Sequence, residues 1–225
     1  MTIRMINVID YIISILIFLI TLPLTLISWI LIFFLEESPI IYKSDRIGYK
    51  KNPFIVYKFR TMSTSNSSGV TLANDSRVTR LGLILRKFKV DELPQFFNIF
   101  KNQLSLVGPR PENIKYLNSD KNYFAYLNTI KPGIIDLVTL LFVNESSFLK
   151  SEEHYIEEIL PLKSKIHNKM YKKYSLSDFV LPIFLTPIAI LYPKMVQKII
   201  IKYFLNSEYI DFQDKKYILL FIRKV

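Results

Sequence analysis

Residues 11–35 read YIISILIFLITLPLTLISWILIFFL, twenty-five positions without a charge. About 20 apolar helical residues cross a bilayer core, so this run is long enough to do so. It is too long for a cleaved leader, and no small-residue cleavage site follows it. Pro23 stands almost at its midpoint. A proline inside a helix removes a backbone hydrogen bond and clashes with the preceding turn, at a cost of about 3 kcal/mol. Each half then holds about 12 residues, or roughly 18 Å, and neither half crosses alone. Two arrangements stay open on these residues. One is a plain spanning helix. The other is a helix–break–helix that enters and leaves on one face, with Thr21, Thr25 and Ser28 supplying hydroxyls to carbonyls freed at the break. Lys43, Arg46, Lys50 and Lys51 follow the run and place its C-terminal side in the cytoplasm. Arg4, on the other flank, points weakly the same way.

The rest of the 225-residue chain is long enough for one domain with a real core. Half of its residues are hydrophobic and the net charge is +11, a balance that favours anionic partners. There is no cysteine, so disulfides and thiolate metal sites are excluded. Only five glycines are present, which argues against a glycine-rich nucleotide loop. The two histidines, His154 and His167, lie in a charged helical stretch and read as surface residues.

Residues 40–62 read as two short strands around a turn at YKKNP. Alternation through FIVYKFRTM puts Phe54, Val56, Lys58 and Arg60 on one face. Lys58 and Arg60 are thereby expected to grip one anion. Residues 63–76 form a polar loop, either a linker or a cover over a site. From Arg77 a helical period returns, with Leu81, Ile84, Leu85 and Phe88 on one face and Arg86 off it. That helix leads to Val90-Asp91-Glu92-Leu93-Pro94-Gln95, and Ser105-Leu106-Val107-Gly108-Pro109-Arg110-Pro111 follows shortly after.

Neighbouring carboxylates diverge by about 100° on a helix, so Asp91 and Glu92 can take separate tasks. A carboxylate can attack phosphorus, and Mg²⁺ is typically held by one or two carboxylates plus substrate phosphates. Arg86 and Arg110 are suited to bidentate phosphate contact. The plainer reading is a helix N-cap, with the helix starting at Leu93-Pro94. The two are compatible, because a helix N-terminus also attracts phosphate.

Towards the C-terminus, residues 179–193 are apolar but short, and are interrupted by Pro182 and Pro187. Lys194, Lys198 and Lys202 then recur every four residues among Ile199, Ile200, Tyr203 and Phe204. This reads as an amphipathic helix, lying either at an anionic membrane surface or with its basic face in water.

YKFRTM, RKxxxDELPQFFN and SLVGPRP, in this order behind a hydrophobic N-terminus, resemble the bacterial sugar transferases, the monotopic polyprenyl-phosphate phosphoglycosyl transferases. The resemblance covers roughly residues 5–135. It implies transfer of a sugar-1-phosphate from a UDP-sugar to a polyprenyl phosphate, usually undecaprenyl phosphate, with release of UMP. It also implies a covalent aspartyl phosphosugar on Asp91, Mg²⁺ held by Glu92, Arg86 positioning the Asp91 carboxylate, and Lys58, Arg60 and Arg110 holding phosphate. Residues 11–35 become the family's re-entrant element, broken at Pro23. Leu22-Pro23 stands where the family often has Ser-Pro. Asn74-Asp75-Ser76-Arg77 replaces NDPR, and IIDLVTL replaces ITGWAQV after Lys131-Pro132-Gly133. The C-terminal third matches weakly.

The expected fold class is therefore α+β. Residues 1–37 form a re-entrant membrane element, and residues 38–225 form a catalytic domain on the cytoplasmic face of the bacterial inner membrane. That domain has a core at 40–135 containing a β-hairpin, a divergent helical part at 136–225, and interfacial amphipathic helices. Expected partners are a UDP-sugar, a polyprenyl phosphate, membrane lipid and downstream glycosyltransferases. No nucleic-acid recognition motif is present. The competing reading of the +11 charge and basic helix is a non-catalytic membrane adaptor that binds anionic lipid and a partner enzyme.

Overall fold

A computed structural model describes residues 3–36, 38–63, 75–119 and 122–223. The expected polar loop falls mostly outside them, as does Asn74. Helix α1 spans Ile3–Leu35 as one element, with Pro23 inside it. The chain is helical on both sides of the proline. Thr21 Oγ1 donates to the Ile17 carbonyl at 2.8 Å, Thr25 Oγ1 to Thr21 at 2.9 Å, and Ser28 Oγ to Leu24 at 2.8 Å. The carbonyl four residues before Pro23 belongs to Leu19, and these hydroxyls bond to other carbonyls of the helix.

Most of α1 is bare hydrocarbon: Ile20 is 78% exposed and Phe34 75%. One stripe is covered. Asp10, Ser14, Ser28 and Ile32 are buried along it. Phe18 stacks edge-on against Phe100 with ring centroids 5.1 Å apart, and Trp29 meets Phe59 at 6.4 Å. The helix therefore touches the rest of the protein from Asp10 to Ile32, about 33 Å at 1.5 Å per residue.

Strands β1 (Ile41–Ile47) and β2 (Pro53–Phe59) form an antiparallel hairpin in which Tyr42 pairs with Lys58 and Arg46 with Phe54. Helix α2 (Arg80–Lys87) begins at Thr79, whose hydroxyl accepts from the Gly82 N–H. Leu85 is buried, but Ile84 and Phe88 of the same expected apolar face are exposed, as is Leu83. That face of α2 is apolar surface rather than core. Lys89 then adopts a left-handed conformation, φ 58°. This turns the chain sharply into a 3₁₀ segment, Val90–Gln95, that continues into helix α3 (Phe96–Phe100). The carboxylate pair sits inside the 3₁₀ turn instead of capping a helix that starts at Leu93.

Strand β3 (Ser105–Val107) pairs in parallel with β4 (Gly133–Ile135). At their end Gly108 and Gly133 lie back to back. A Cβ built on Gly133 would stand 2.2 Å from the Gly108 nitrogen. Asp136 follows β4 and caps α4 (Leu137–Leu141) by accepting from the Thr139 N–H at 2.6 Å.

The C-terminal part is helical. Helix α5 (Glu152–His154) runs through a π turn, Tyr155–Ile159, into α6 (Leu160–Lys172), followed by α7 (Leu176–Leu191), α8 (Pro193–Asn206) and α9 (Phe212–Arg223). Pro182 and Pro187 lie inside α7 without ending it. In α8, Val196, Ile200 and Phe204 enter the core while Lys194, Lys198 and Lys202 are exposed. The surface expectation for His167 is corrected. It is buried, with Nε2 2.6 Å from Asp136 Oδ2, against the rings of Tyr126 and Tyr171. A buried imidazole needs a polar partner, and Asp136, some thirty residues away in sequence, provides it. His154 is half-buried, 3.4 Å from Glu158.

Candidate active site

The turn after Lys89 places Asp91 and Glu92 side by side, both buried, in opposite electrostatic states. Glu92 is fully engaged. Arg110 donates to it through both terminal nitrogens, NH1 to Oε2 at 2.9 Å and NH2 to Oε1 at 2.6 Å. Lys58 Nζ reaches Oε1 at 3.1 Å, and the Gln95 amide reaches Oε2 at 3.1 Å. Burial alone would raise the Glu92 pKa, but Arg110 and Lys58 outweigh it and hold the carboxyl well below its usual range. In return Glu92 raises the Arg110 pKa. Burial dominates at Lys58 and lowers its pKa to about 8, against the pull of Glu92.

Asp91 Oδ1 is buried with no hydrogen-bond partner. Burial and the neighbouring Glu92 charge raise its pKa, while Lys58, Lys89 and Arg86 oppose the rise. A desolvated, unpaired oxygen beside a cation cluster is costly unless something else is meant to meet it.

Of the expected cations, Lys58 and Arg110 converge on Glu92. Arg86 lies close enough for its charge to act on Asp91, but its Nε donates to Thr61 Oγ1 at 2.8 Å. Arg60 does not share the site. Strand β2 ends at Phe59, and the Arg60 guanidinium turns to the Ser38 carbonyl at 2.7 Å. Alternation could not carry one residue past the end of the strand.

Arg46 belongs in the neighbourhood and was read only as a flanking charge. It lies four residues from Tyr42 on β1, hence on the hairpin face that carries Lys58. Its Nε donates to Ser44 Oγ at 3.1 Å and NH1 to the Pro111 carbonyl at 3.4 Å, both neutral acceptors. The strand register would have found it.

Behind the Arg110 turn, Lys163 is buried between Glu112 at 3.2 Å and Glu145 at 3.0 Å. This ties the loop to α6. Among the described residues no group of three or more His, Cys, Asp or Glu gathers as a metal cluster. The unpaired Asp91 oxygen beside Glu92 is a hard-oxygen donor set of the kind Mg²⁺ takes together with substrate phosphates. A cation at Glu92 would have to displace Arg110, which bonds both of its oxygens, and Lys58.

Residues 2–173 match the family model described as "Bacterial sugar transferase". The chain is 39% identical over 118 residues to the UDP-N-acetylgalactosamine-undecaprenyl-phosphate N-acetylgalactosaminephosphotransferase of Aeromonas hydrophila, covering 50% of this chain and 28% of that protein. It is 34% identical over 155 residues to the UDP-glucose:undecaprenyl-phosphate glucose-1-phosphate transferase of Klebsiella pneumoniae, covering 66% of this chain and 33% of that protein. It is 44% identical over 98 residues to an uncharacterized sugar transferase of Bacillus subtilis (strain 168), covering 43% and 48%. The chain thus spans less than half the length of these curated relatives. With the family model covering most of its length, and DELPQ and GPRP forming the buried site just described, the chain belongs to the bacterial sugar transferase family.

Proposed function

We propose that this protein transfers a sugar-1-phosphate from a UDP-sugar to undecaprenyl phosphate and releases UMP. The observation that carries this is the contrast inside the Asp91-Glu92 pair: one carboxylate clamped by cations, the other buried with a bare oxygen. Asp91 attacks the phosphorus that bears the sugar. A bond forms from its carboxylate oxygen to that phosphorus, and the bond to the bridging oxygen breaks. The bridging oxygen leaves with UMP. An oxygen of the lipid phosphate then attacks the same phosphorus and displaces Asp91, which regains its carboxylate. Arg110, Lys58 and Arg86 hold the phosphate charge during both steps. Glu92 is the proposed Mg²⁺ ligand, and the metal would neutralise the diphosphate.

The proposed location is the cytoplasmic face of the inner membrane, with α1 entering and leaving on that face. The long exposed apolar face of α1 is compatible with membrane association. Contacts to one protein body near both ends of α1, at Asp10 and at Ile32, support a shared side for the two ends. The exposed apolar side chains of α2, with Met195 and Ile199 beside the α8 lysines, extend the proposed membrane surface.

The test is UMP release from UDP-glucose, UDP-N-acetylgalactosamine and other UDP-sugars in the presence of undecaprenyl phosphate and Mg²⁺. Wild type should turn over at least one donor. Asp91→Asn should abolish release and leave no radiolabelled sugar phosphate on denatured protein. Binding of polyprenyl-phosphate vesicles without UMP release from any donor would instead identify a membrane adaptor.

A further inference from the structure

Asp10 is a buried carboxylate that the proposed chemistry does not use. It sits where α1 becomes continuously apolar, between the exposed side chains of Val8 and Ile12. Its two oxygens are divided between successive peptide groups on β3. Leu106 N donates to Oδ2 at 2.9 Å and Val107 N to Oδ1 at 2.9 Å. Both N–H groups of this strand thus donate to a side chain of α1. Charge-assisted bonds of this kind are short and among the stronger ones in proteins.

The strand they hold runs directly into the Arg110 turn. Gly108 N donates to the Ile135 carbonyl at 2.9 Å, and Gly133 N to the Pro109 carbonyl at 2.9 Å. Two residues, Gly108 and Pro109, separate Val107 from Arg110, and backbone bonds fix the path between them. We infer that Asp10 is a positioning residue for the transferase site, pinning the strand that leads into the Arg110 turn to the start of the membrane helix. The inference rests on the transferase reading. In its terms, the geometry of the phosphate clamp depends on α1 being seated.

Only a carboxylate suits this place. An amide at residue 10 would turn an NH₂ donor towards one of the two peptide N–H donors. Asp10 also borders a cavity of about 290 Å³ with Asn7, Tyr11, Ser105 and Lys131. A truncated side chain there enlarges existing space rather than opening a closed void, so the fold tolerates the change.

The experiment compares wild type, Asp10→Asn, Asp10→Ala and Ser14→Ala in detergent with a UDP-sugar that wild type uses. Ser14 is a control one turn along α1, whose hydroxyl bonds only the Asp10 carbonyl of its own helix among the contacts seen. Both Asp10 variants should show faster amide exchange at Leu106 and Val107. Their kcat/KM should fall by roughly ten- to a hundred-fold, with a raised KM for the UDP-sugar, as expected when a contact group shifts by about 1 Å. Ser14→Ala should behave as wild type. Unchanged exchange at Leu106 and Val107, or wild-type kcat/KM in Asp10→Asn, overturns the inference. So does a loss of activity that only tracks loss of folded protein, with KM unchanged in the folded fraction. Absence of UMP release by wild type would instead strike the transferase reading, and the exchange measurement would still decide whether Asp10 holds β3.

Discussion

Arg110→Met probes the clamp on Glu92. Arg110 supplies contacts at 2.6 and 2.9 Å to a buried carboxylate, and methionine keeps much of the volume while removing both. Lys58 and the Gln95 amide, each at 3.1 Å, remain. Deleting one partner of a buried ion pair costs about 3–5 kcal/mol, because the other charge is left uncompensated. The surviving Lys58 contact argues for the lower end of that range, about 3 kcal/mol. For a chain of this size 1 kcal/mol moves the melting midpoint by about 2–4 °C, so the expected drop is about 6–12 °C. Glu92→Gln in the same chain removes the stranded charge, and the double variant should recover most of the loss. The assay is a set of thermal melts in detergent on wild type, both single variants and the double. The reasoning fails if Arg110→Met melts within about 2 °C of wild type. It also fails if the double variant is as unstable as Arg110→Met alone.

Burial lowers the Lys58 pKa to about 8. A plot of log kcat/KM against pH should therefore bend downward near pH 8, and Lys58→Arg should move the bend upward; a flat profile through that region in wild type would refute it. The unfolded chain keeps Lys58 near 10.5, so it binds more protons than the folded chain between about pH 8 and that value. This group's contribution to stability accordingly rises with pH across the window. Gly82→Ala should uncouple Arg86: the new Cβ would stand 2.2 Å from the Thr61 carbonyl oxygen, so α2 must shift and carry Arg86 off the Thr61 hydroxyl. Activity should drop by roughly tenfold or more with the fold retained, and wild-type turnover would contradict this. Single cysteines at residues 3 and 43, in a chain with none of its own, should both resist an impermeant maleimide on intact cells. Labelling at either position would rule out the shared cytoplasmic side.

Local patterns reached part of this molecule. The hairpin was legible because alternation and the turn at YKKNP are short-range signals, and they put Lys58 on the right face. The Arg60 guanidinium bonds the Ser38 carbonyl, a contact that alternation along the strand does not report. The exposed face of α2 shows the same limit: a helical period reports that apolar residues share a side, not what covers them. The electrostatic contrast between Asp91 and Glu92 depends on a left-handed Lys89 and on Arg110, eighteen residues beyond Glu92, so on spacing alone the helix cap is the plainer reading. Asp10 was passed over because it precedes the uncharged run, and its partners are backbone groups almost a hundred residues away. His167 needed Asp136, which again only the folded chain brings near.

The glycine contact at Gly108 and Gly133 has a consequence for how such proteins diversify. Backbone bonds join β3 and β4, from Ser105 to Pro132, Gly133 to Pro109 and Gly108 to Ile135. Beyond Gly133, Lys163 holds the loop that follows Arg110 through Glu112, and the Glu145 charge acts on Arg110. A donor sequence placed from Ile134 onward keeps the backbone join but must supply its own partner for Glu112 in place of Lys163. Chimaeras cut at this joint are the economical way to learn whether the divergent C-terminal part selects the sugar.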